Sequence, residues 1–293
     1  MLNVAIGTAP VNWNNEDVPD YRAWTPYLQM LDEMAEAGYT ATEFSSHFPE
    51  DPLQAKRDLQ ARGLRPASTF HALNLRDAGM ESSENKRAQD RAAYVQALGS
   101  DVLIIADTGD ERRLELAGRV RAEDGLDDAS WQRLARGLET VADLCAPLGV
   151  RIVFHNHVGT YVETELELSR LLDLTDPERV GLCFDVGHML FGGGHIMRVM
   201  ERYGDRVGYV HLKDVDLDTL DRCRRESLGF HQALRLGIFT EFGTGGMDFP
   251  RFFEALEARH YSGWIIVEQD TTKKTPLESA RVNRAYLRHT FGL

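Results

Sequence analysis

The chain has 293 residues, of which 43% are hydrophobic and 27% charged, a composition that indicates a globular protein with a sizeable core. Its formal net charge of −13 argues against a nucleic-acid partner or an anionic membrane surface, because such partners select clustered Lys and Arg. The three cysteines lack CxxC spacing, which predicts reduced thiols in a cytoplasmic protein, and we expect neither a signal peptide nor a membrane span.

Short runs rich in valine and isoleucine alternate with amphipathic stretches along the whole chain. The predicted strands are Val4–Gly7, Ala41–Phe44, Arg65–Thr69, Val102–Ala106, Arg151–His155, Val180–Asp185, Val207–Leu212 and Gly263–Glu268. The predicted helices are Leu28–Ala37, Gln54–Arg62, Asn85–Leu98, Trp131–Leu148, Glu165–Leu172, Met197–Tyr203, Phe252–Arg259 and Leu277–Thr290. Four glycines, Gly38, Gly63, Gly99 and Gly149, stand where a left-handed helix cap is expected.

Eight strands, each followed by a helix, predict a single (β/α)8 barrel domain over residues 1–293, since a doubly wound open sheet usually has fewer strands. The segment from Val215 to Asp248 departs from this rhythm. We expect a long loop there, either a lid or substrate contact on the catalytic face or an ordinary surface insertion.

Ionisable side chains stand at or just after the carboxyl ends of most predicted strands. A barrel brings these ends to one mouth, where its active site is built. The residues are Glu43, His71, Asp107, His155, His157, Asp185, His188, His211, Lys213, Asp214 and Glu268. Packing alone does not explain a set of this size, so the sequence predicts a catalytic site at the mouth.

Asp185, His211 and Glu268 follow neighbouring strands and together predict a metal site. A fourth ligand is expected from strand five, where His155 is preferred over His157 because it lies nearer the strand. Carboxylates with imidazoles favour Mn²⁺ or Co²⁺, with Zn²⁺, Fe²⁺ or Mg²⁺ as alternatives. The competing interpretation is a buried hydrogen-bonded cluster without metal.

Three segments, VGLCFDVGH (Val180–His188), VGYVHLKD (Val207–Asp214) and WIIVEQD (Trp264–Asp270), resemble the xylose isomerase-like superfamily of sugar isomerase and epimerase barrels. Three others, IGTAPVNWNNEDVPD (Ile6–Asp20), EMAEAGYTATE (Glu33–Glu43) and FHNHVGTYVET (Phe154–Thr164), resemble inosose dehydratases. The chain departs from the dehydratase pattern over residues 68–77 and 239–248, segments that we expect to touch substrate.

The resemblance implies that Asp185, His211 and Glu268 bind a metal. It also implies a glutamate on strand five in epimerases and isomerases, where this chain has His155, as in the dehydratase branch. The expected activity is therefore metal-dependent removal of water from a keto-polyol such as an inosose. Keto-sugar isomerisation or epimerisation is the alternative. A sugar-binding barrel ranks below both, and a repair nuclease ranks last because of the negative charge.

The remaining motif residues receive secondary roles. We expect His155, Lys213, His71 and His188 to supply acid or base groups. The expected substrate contacts are Glu43, Trp13, Asn14, His157 and Glu241, although Glu43 could cap a loop and Trp13 could be plain packing. A phosphate-binding role for the glycines at 243, 245 and 246 is disfavoured, because the stretch has no lysine. The expected partner is a small polyol or sugar, and a homo-oligomer is possible.

Overall fold

Residues 2–293 are described by a computed structural model. Within them, eight parallel strands close into a barrel in the order β1-β10-β7-β6-β5-β4-β3-β2. The barrel strands are β1 (Ala5–Thr8), β2 (Ala41–Phe44), β3 (Arg65–Leu73), β4 (Val102–Asp107), β5 (Arg151–His155), β6 (Val180–Asp185), β7 (Val207–Leu212) and β10 (Trp264–Val267). The predicted (β/α)8 barrel is confirmed.

The helices surround the strands and are connected to them by loops of uneven length. In chain order they are α1 (Tyr27–Glu36), α2 (Pro52–Gln60), α3 (Glu81–Leu98), α4 (Glu111–Leu116), α5 (Asp128–Cys145), α6 (Glu165–Leu174), α7 (Val186–Phe191), α8 (Ile196–Tyr203), α9 (Leu217–Glu226), α10 (Phe230–Leu236), α11 (Phe249–Ala258) and α12 (Pro276–Phe291). Among the described residues, no helix is long and apolar enough to cross a membrane.

All eight predicted strands are present, and four of them have the predicted bounds. The largest difference is in β3, which continues to Leu73 because Thr69–Leu73 pairs with Leu103–Asp107 of β4. The four predicted helix caps have positive φ angles, between 67° and 95°. Short helices α4 and α7 were not predicted, because each has only six residues and so shows less than two turns of periodicity.

The prediction of a long loop after β7 is wrong. The segment contains α9 and α10, and its two ends pair as an antiparallel ribbon of β8 (Asp214–Val215) and β9 (Phe239–Thr240). Apolar side chains of both helices, including Leu220 and Phe230, pack with Val18 and Phe191 in a small core of their own. The helices were missed because their apolar stripe covers only a few residues, and tertiary packing rather than local periodicity stabilises them.

The barrel interior is filled by small and branched side chains, with the functional residues one layer above them. Val153, Cys183, Tyr209 and Ile266 belong to one buried cluster inside the strands. Side chains two residues further along a strand point to the same face. The inward-facing positions above these four are therefore His155, Asp185, His211 and Glu268, at the carboxyl ends of β5, β6, β7 and β10.

A buried ion pair ties two of the loops at this mouth. The Arg113 guanidinium of α4 donates to both carboxylate oxygens of Glu167 in α6, at 2.9 and 3.0 Å. Arg113 is fully buried, and Glu167 also forms the capping box of α6 with Thr164. The loop that follows β5 runs directly into this cap, so the pair helps to hold that loop in place.

We expect Arg113→Leu to lower the free energy of unfolding by about 3–5 kcal/mol, because it leaves the Glu167 carboxylate buried without its partner. The neighbouring Arg112 is a matched control, since its side chain is 64% exposed in its ion pair with Asp124. Arg112→Leu should cost no more than about 1 kcal/mol. Urea denaturation measures both, and equal losses for the two variants would contradict the structural role of the pair.

Candidate metal centre and substrate cavity

A cavity of about 300 Å³ opens at the carboxyl ends of the barrel strands, the face on which barrel enzymes place their active sites. The loop after β1 forms one wall, and Phe70 of β3 and Arg91 of α3 form part of another. The polar floor carries His155, His157, His211, Lys213, Glu268 and Asp270. The cavity therefore brings together several of the strand-end residues predicted from sequence.

Four of the predicted residues form one cluster. His155, Asp185, His211 and Glu268 each offer a ligand atom, and these atoms all lie within 4.8 Å of one another. They come from four consecutive strands of the barrel, β5, β6, β7 and β10. Two imidazoles and two carboxylates converging on one point are a donor set typical of divalent transition metals.

The Asp185 carboxylate is fixed by the backbone around it. Its Oδ1 accepts a 2.8 Å hydrogen bond from the His188 amide at the start of α7. The Asn156 side-chain amide donates to the Asp185 carbonyl at 3.0 Å and accepts from the Asp185 backbone amide at 3.1 Å. Oδ2 is left to face the cluster, 3.3 Å from His155 Nε2. A helix cap thus presents one carboxylate oxygen to the centre.

Glu43 orients the imidazole of His211. His211 Nε2 lies 2.9 Å from Glu43 Oε1, which also accepts a 2.9 Å hydrogen bond from the Ser68 hydroxyl. Because a carboxylate only accepts, Nε2 carries a proton. Nδ1 faces two more carboxylates, 3.1 Å from Glu268 Oε2 and 3.7 Å from Asp185 Oδ2. Burial acts to lower the pKa of His211, but its anionic neighbours hold it well above its usual range. A metal ion bound in the cluster would therefore take the place of a proton on Nδ1.

Lys213 brings a cation to the same carboxylates. Its Nζ donates to Asp185 Oδ2 at 2.9 Å, contacts Glu268 Oε2 and lies 3.6 Å from Asp270 Oδ1. Burial acts to lower the pKa of Lys213, but Asp185, Asp270 and Glu268 together hold it well above its usual range. Gly187 lets α7 approach this stem, since a Cβ there would lie 2.4 Å from Lys213 Cβ.

The charges and donors at the cluster fit a divalent cation. The buried carboxylates of Asp185, Glu268 and Asp270 face one ammonium, and burial raises the pKa of Asp270 to about 7 although Lys213 opposes this. The Nδ1 atoms of His155 and His211 are buried without a hydrogen-bond partner among residues 2–293. A divalent ion would compensate the excess carboxylate charge and use an imidazole nitrogen of each ring.

The second strand-five histidine lies in the cavity and outside the four-residue cluster. His157 Nδ1 is 2.7 Å from the Val158 carbonyl, so Nδ1 carries the proton and Nε2 has a lone pair. Burial, together with His155 and Lys213, lowers the pKa of His157 to about 3, so its ring is neutral. The two histidines are therefore separated by position, as the sequence predicted, with His155 in the cluster.

His188 and His71, two predicted acid groups, do not line the cavity. His188 is buried behind Asp185, with Nε2 3.9 Å from Asp185 Oδ2 and Nδ1 accepting from the Val158 amide. His71 points outward from β3, because Phe70 takes the inward position and packs 5.6 Å from the His155 ring. Burial, Arg91 and Arg87 lower the pKa of His71 to about 4. Because neither ring lines the cavity, the prediction that His188 and His71 supply acid groups to the substrate is corrected.

Three predicted substrate contacts serve the scaffold. Trp13 is buried and donates from its indole to Glu33 at 2.7 Å, so the packing alternative is the right one. The Asn14 side-chain amide donates to the Thr25 carbonyl at 2.9 Å and accepts from the Thr25 amide at 2.8 Å. Asn14 therefore lies at the cavity wall with its polar side-chain atoms bonded to backbone. Glu241 accepts from Thr272 and Ser279, at 2.7 and 2.9 Å, and lies outside the cavity.

Two further strand-end carboxylates bind backbone. Asp214 accepts from the amides of Gly243, Gly245 and Met247, at 2.9 to 3.0 Å. The glycine-rich stretch therefore wraps a carboxylate of its own chain, which also disfavours a phosphate-binding role. Asp107 accepts from the Gly109 and Tyr161 amides, at 2.9 and 3.1 Å, and so caps the loop after β4.

Phe70, Arg91 and Asp270 are among the cavity residues that the sequence analysis did not name as site residues. Asp270 had a usable signal, because it stands two residues after Glu268 beyond the last strand. Phe70 lies within residues 68–77, a segment that was expected to touch substrate, but it was not singled out there. Arg91 had no signal, because it reaches the cavity from the middle of α3.

Comparisons with known proteins agree with this arrangement. The model of the xylose isomerase-like TIM barrel family matches residues 31–290. The inosose dehydratase of Geobacillus kaustophilus is 39% identical over 289 residues, covering 96% of this chain and 93% of that protein. The inosose dehydratase of Lacticaseibacillus casei is 35% identical over 295 residues, covering 100% and 99%.

A solved structure of the protein called IOLI, which holds a bound zinc atom, superposes with a TM-score of 0.71 at 15% identity. It covers 98% of this chain and 97% of that one, and at this identity the likeness supports the fold alone. The family match and the full-length relatives support a closer statement. The chain belongs to the xylose isomerase-like TIM barrel family and, within it, to the family of the inosose dehydratases.

Proposed function

We propose that this protein is a metal-dependent dehydratase that removes water from a cyclic keto-polyol of the inosose type. The observation that carries the proposal is the cluster of His155, Asp185, His211 and Glu268 in a chain whose full-length relatives are inosose dehydratases. The substrate is a neutral small molecule, since five acidic side chains line the cavity of about 300 Å³ and a sixth, Asp185, lies buried beneath it.

His155, Asp185, His211 and Glu268 would hold the ion, and we propose Mn²⁺ or Co²⁺ because mixed imidazole and carboxylate donors suit these metals. When bound, a divalent ion supplies Lewis-acid polarisation of a substrate carbonyl. Glu43 supports this role by keeping His211 Nδ1 directed into the cluster.

Dehydration breaks one C–H bond next to the carbonyl and one C–O bond at the following carbon. The electrons of the C–H bond form the new C=C bond, and the hydroxyl leaves with a proton as water. Among the groups on the cavity floor, the Asp270 carboxylate can receive the substrate proton, since burial raises its pKa to about 7 although Lys213 opposes this. The Lys213 ammonium can donate a hydrogen bond to the carbonyl or departing hydroxyl oxygen. His157 Nε2 has a lone pair that can accept a hydrogen bond from a substrate hydroxyl.

The competing keto-sugar epimerisation returns the proton to carbon and needs a base on each face of the substrate. In the related epimerases a glutamate on strand five supplies one of them. Here the strand-five position is His155, whose ring lies within the cluster. The arrangement therefore favours elimination.

We further propose a cytoplasmic location, because all three cysteines are buried and form no disulfide bond.

Metal-loaded protein incubated with an inosose should give a product lighter by one water and absorbing in the ultraviolet, because elimination creates a conjugated enone or its diketone tautomer. Mass spectrometry and absorbance measure this directly. In deuterium oxide the proton next to the carbonyl should exchange. Recovery of an isomer of unchanged mass, over a panel of inososes and keto-sugars, would overturn the dehydratase assignment and favour epimerisation.

The strand-five histidines offer a matched pair for the metal ligands. His155→Ala should lower the affinity for Mn²⁺ or Co²⁺ by at least about tenfold, because it removes one of four donors; losing an outer partner alone costs 10–100-fold. His157→Ala should keep the metal and lower kcat. Metal content after dialysis against a limiting ion separates the two effects, and the reverse pattern would place the ligand at His157.

Variants of Lys213 and His71 compare the proposed hydrogen-bond donor with a predicted acid group that lies outside the cavity. Lys213→Met should lower kcat with the inosose by roughly 10²–10⁴-fold, the range for an acid or hydrogen-bond donor in the transition state. His71→Ala should leave kcat within about twofold, since the ring faces α3. Thermal unfolding of both variants controls for stability. A large loss of kcat in His71→Ala alone would contradict this assignment.

A further inference from the structure

A second donor set lies directly below the carboxylates of the metal centre. Ligand atoms of His155, Cys183 and His211 lie within 4.8 Å of one another. Cys183 stands two residues before Asp185 on β6, so its side chain shares the inward face one layer deeper. Cys183 is paired in register with His155 of β5. The thiol therefore faces the two imidazoles from inside the barrel.

The atoms of this deeper set are buried. Cys183 is a free thiol and is fully buried. The Nδ1 atoms of His155 and His211 are buried without a hydrogen-bond partner among residues 2–293. Cys145 and Cys223, the other cysteines, belong to hydrophobic clusters outside the barrel interior. Among the described residues, neither forms part of a group of three potential ligands.

We propose that His155, Cys183 and His211 form an overlapping coordination set that takes a thiophilic divalent ion such as Zn²⁺ or Cd²⁺. Sulfur with two imidazole nitrogens is a frequent donor combination for zinc, whereas Mg²⁺ and Mn²⁺ prefer the oxygens of Asp185 and Glu268. Bonds of 2.0 to 2.3 Å place tetrahedral ligands about 3.5 Å apart, so side-chain adjustment of roughly 1 Å closes the set.

The two sets share both imidazoles, so one ion excludes the other. An ion held by Cys183 lies deeper in the barrel than one held by the carboxylates, and it is further from the cavity. On binding, the S–H bond breaks, sulfur keeps the electron pair for the metal, and the proton leaves to solvent. No change in oxidation state is involved.

Cadmium spectroscopy tests the proposal without substrate, so its outcome is independent of the dehydratase assignment. Metal-free protein is titrated with Cd²⁺, and the ultraviolet thiolate-to-metal charge-transfer band is recorded. We expect the band in the unaltered protein and in the Cys145→Ala and Cys223→Ala controls, and its loss in Cys183→Ala. Absence of the band from the unaltered protein, or its persistence in Cys183→Ala, overturns the proposal.

Metal affinities give a second readout. Cys183→Ala should weaken the dissociation constant for Cd²⁺ at least tenfold and leave that for Mn²⁺ unchanged, as measured by isothermal titration calorimetry. The unchanged Mn²⁺ constant also demonstrates that the variant is folded, and Cys183→Ser is the replacement if Cys183→Ala does not fold. Equal Cd²⁺ affinity in the variant and the unaltered protein overturns the overlapping set.

Discussion

The concentration of buried negative charge at the mouth of the barrel is the constraint on which the site depends. Asp185 is fully buried and Glu268 is 7% exposed, and both face the same point. Burying an ionised carboxylate is costly unless it is paired and hydrogen-bonded. Lys213 supplies one positive charge to both, and the helix cap of α7 supplies a backbone amide to Asp185. The carboxylates and imidazoles that converge here therefore form a donor set suited to a divalent ion.

The acidic residues at and near the strand ends differ in the segments that they bind. Asp107 and Asp214, together with Glu163 in the loop after β5, accept hydrogen bonds from backbone amides of neighbouring loops, and Asp107 also pairs with Arg76. Asp185 and Glu268 face the Lys213 ammonium. The first group fixes loops around the cavity, and the second group lies at or below its polar floor.

The histidines at the mouth are differentiated in the same way. Glu43 fixes the proton of His211 on Nε2, and the Val158 carbonyl fixes that of His157 on Nδ1. His188 lies behind Asp185 and receives the Val158 amide. Each partner decides which ring nitrogen has a lone pair, and thereby whether the ring is suited to bind a metal, accept a proton or support a neighbour.

The sequence by itself determined the barrel and the cluster. Local periodicity predicts the alternation of strands and helices. Any barrel brings together the strand ends that carry His155, Asp185, His211 and Glu268. Their convergence follows from topology, so it could be predicted without coordinates. Only the tertiary structure decided the direction of His71, the burial of Trp13 behind the cavity and the packing of α9 and α10. These depend on which face of a strand turns inward near its end and on contacts between distant segments, such as Phe230 with Phe191. Such contacts leave no periodic trace in the chain.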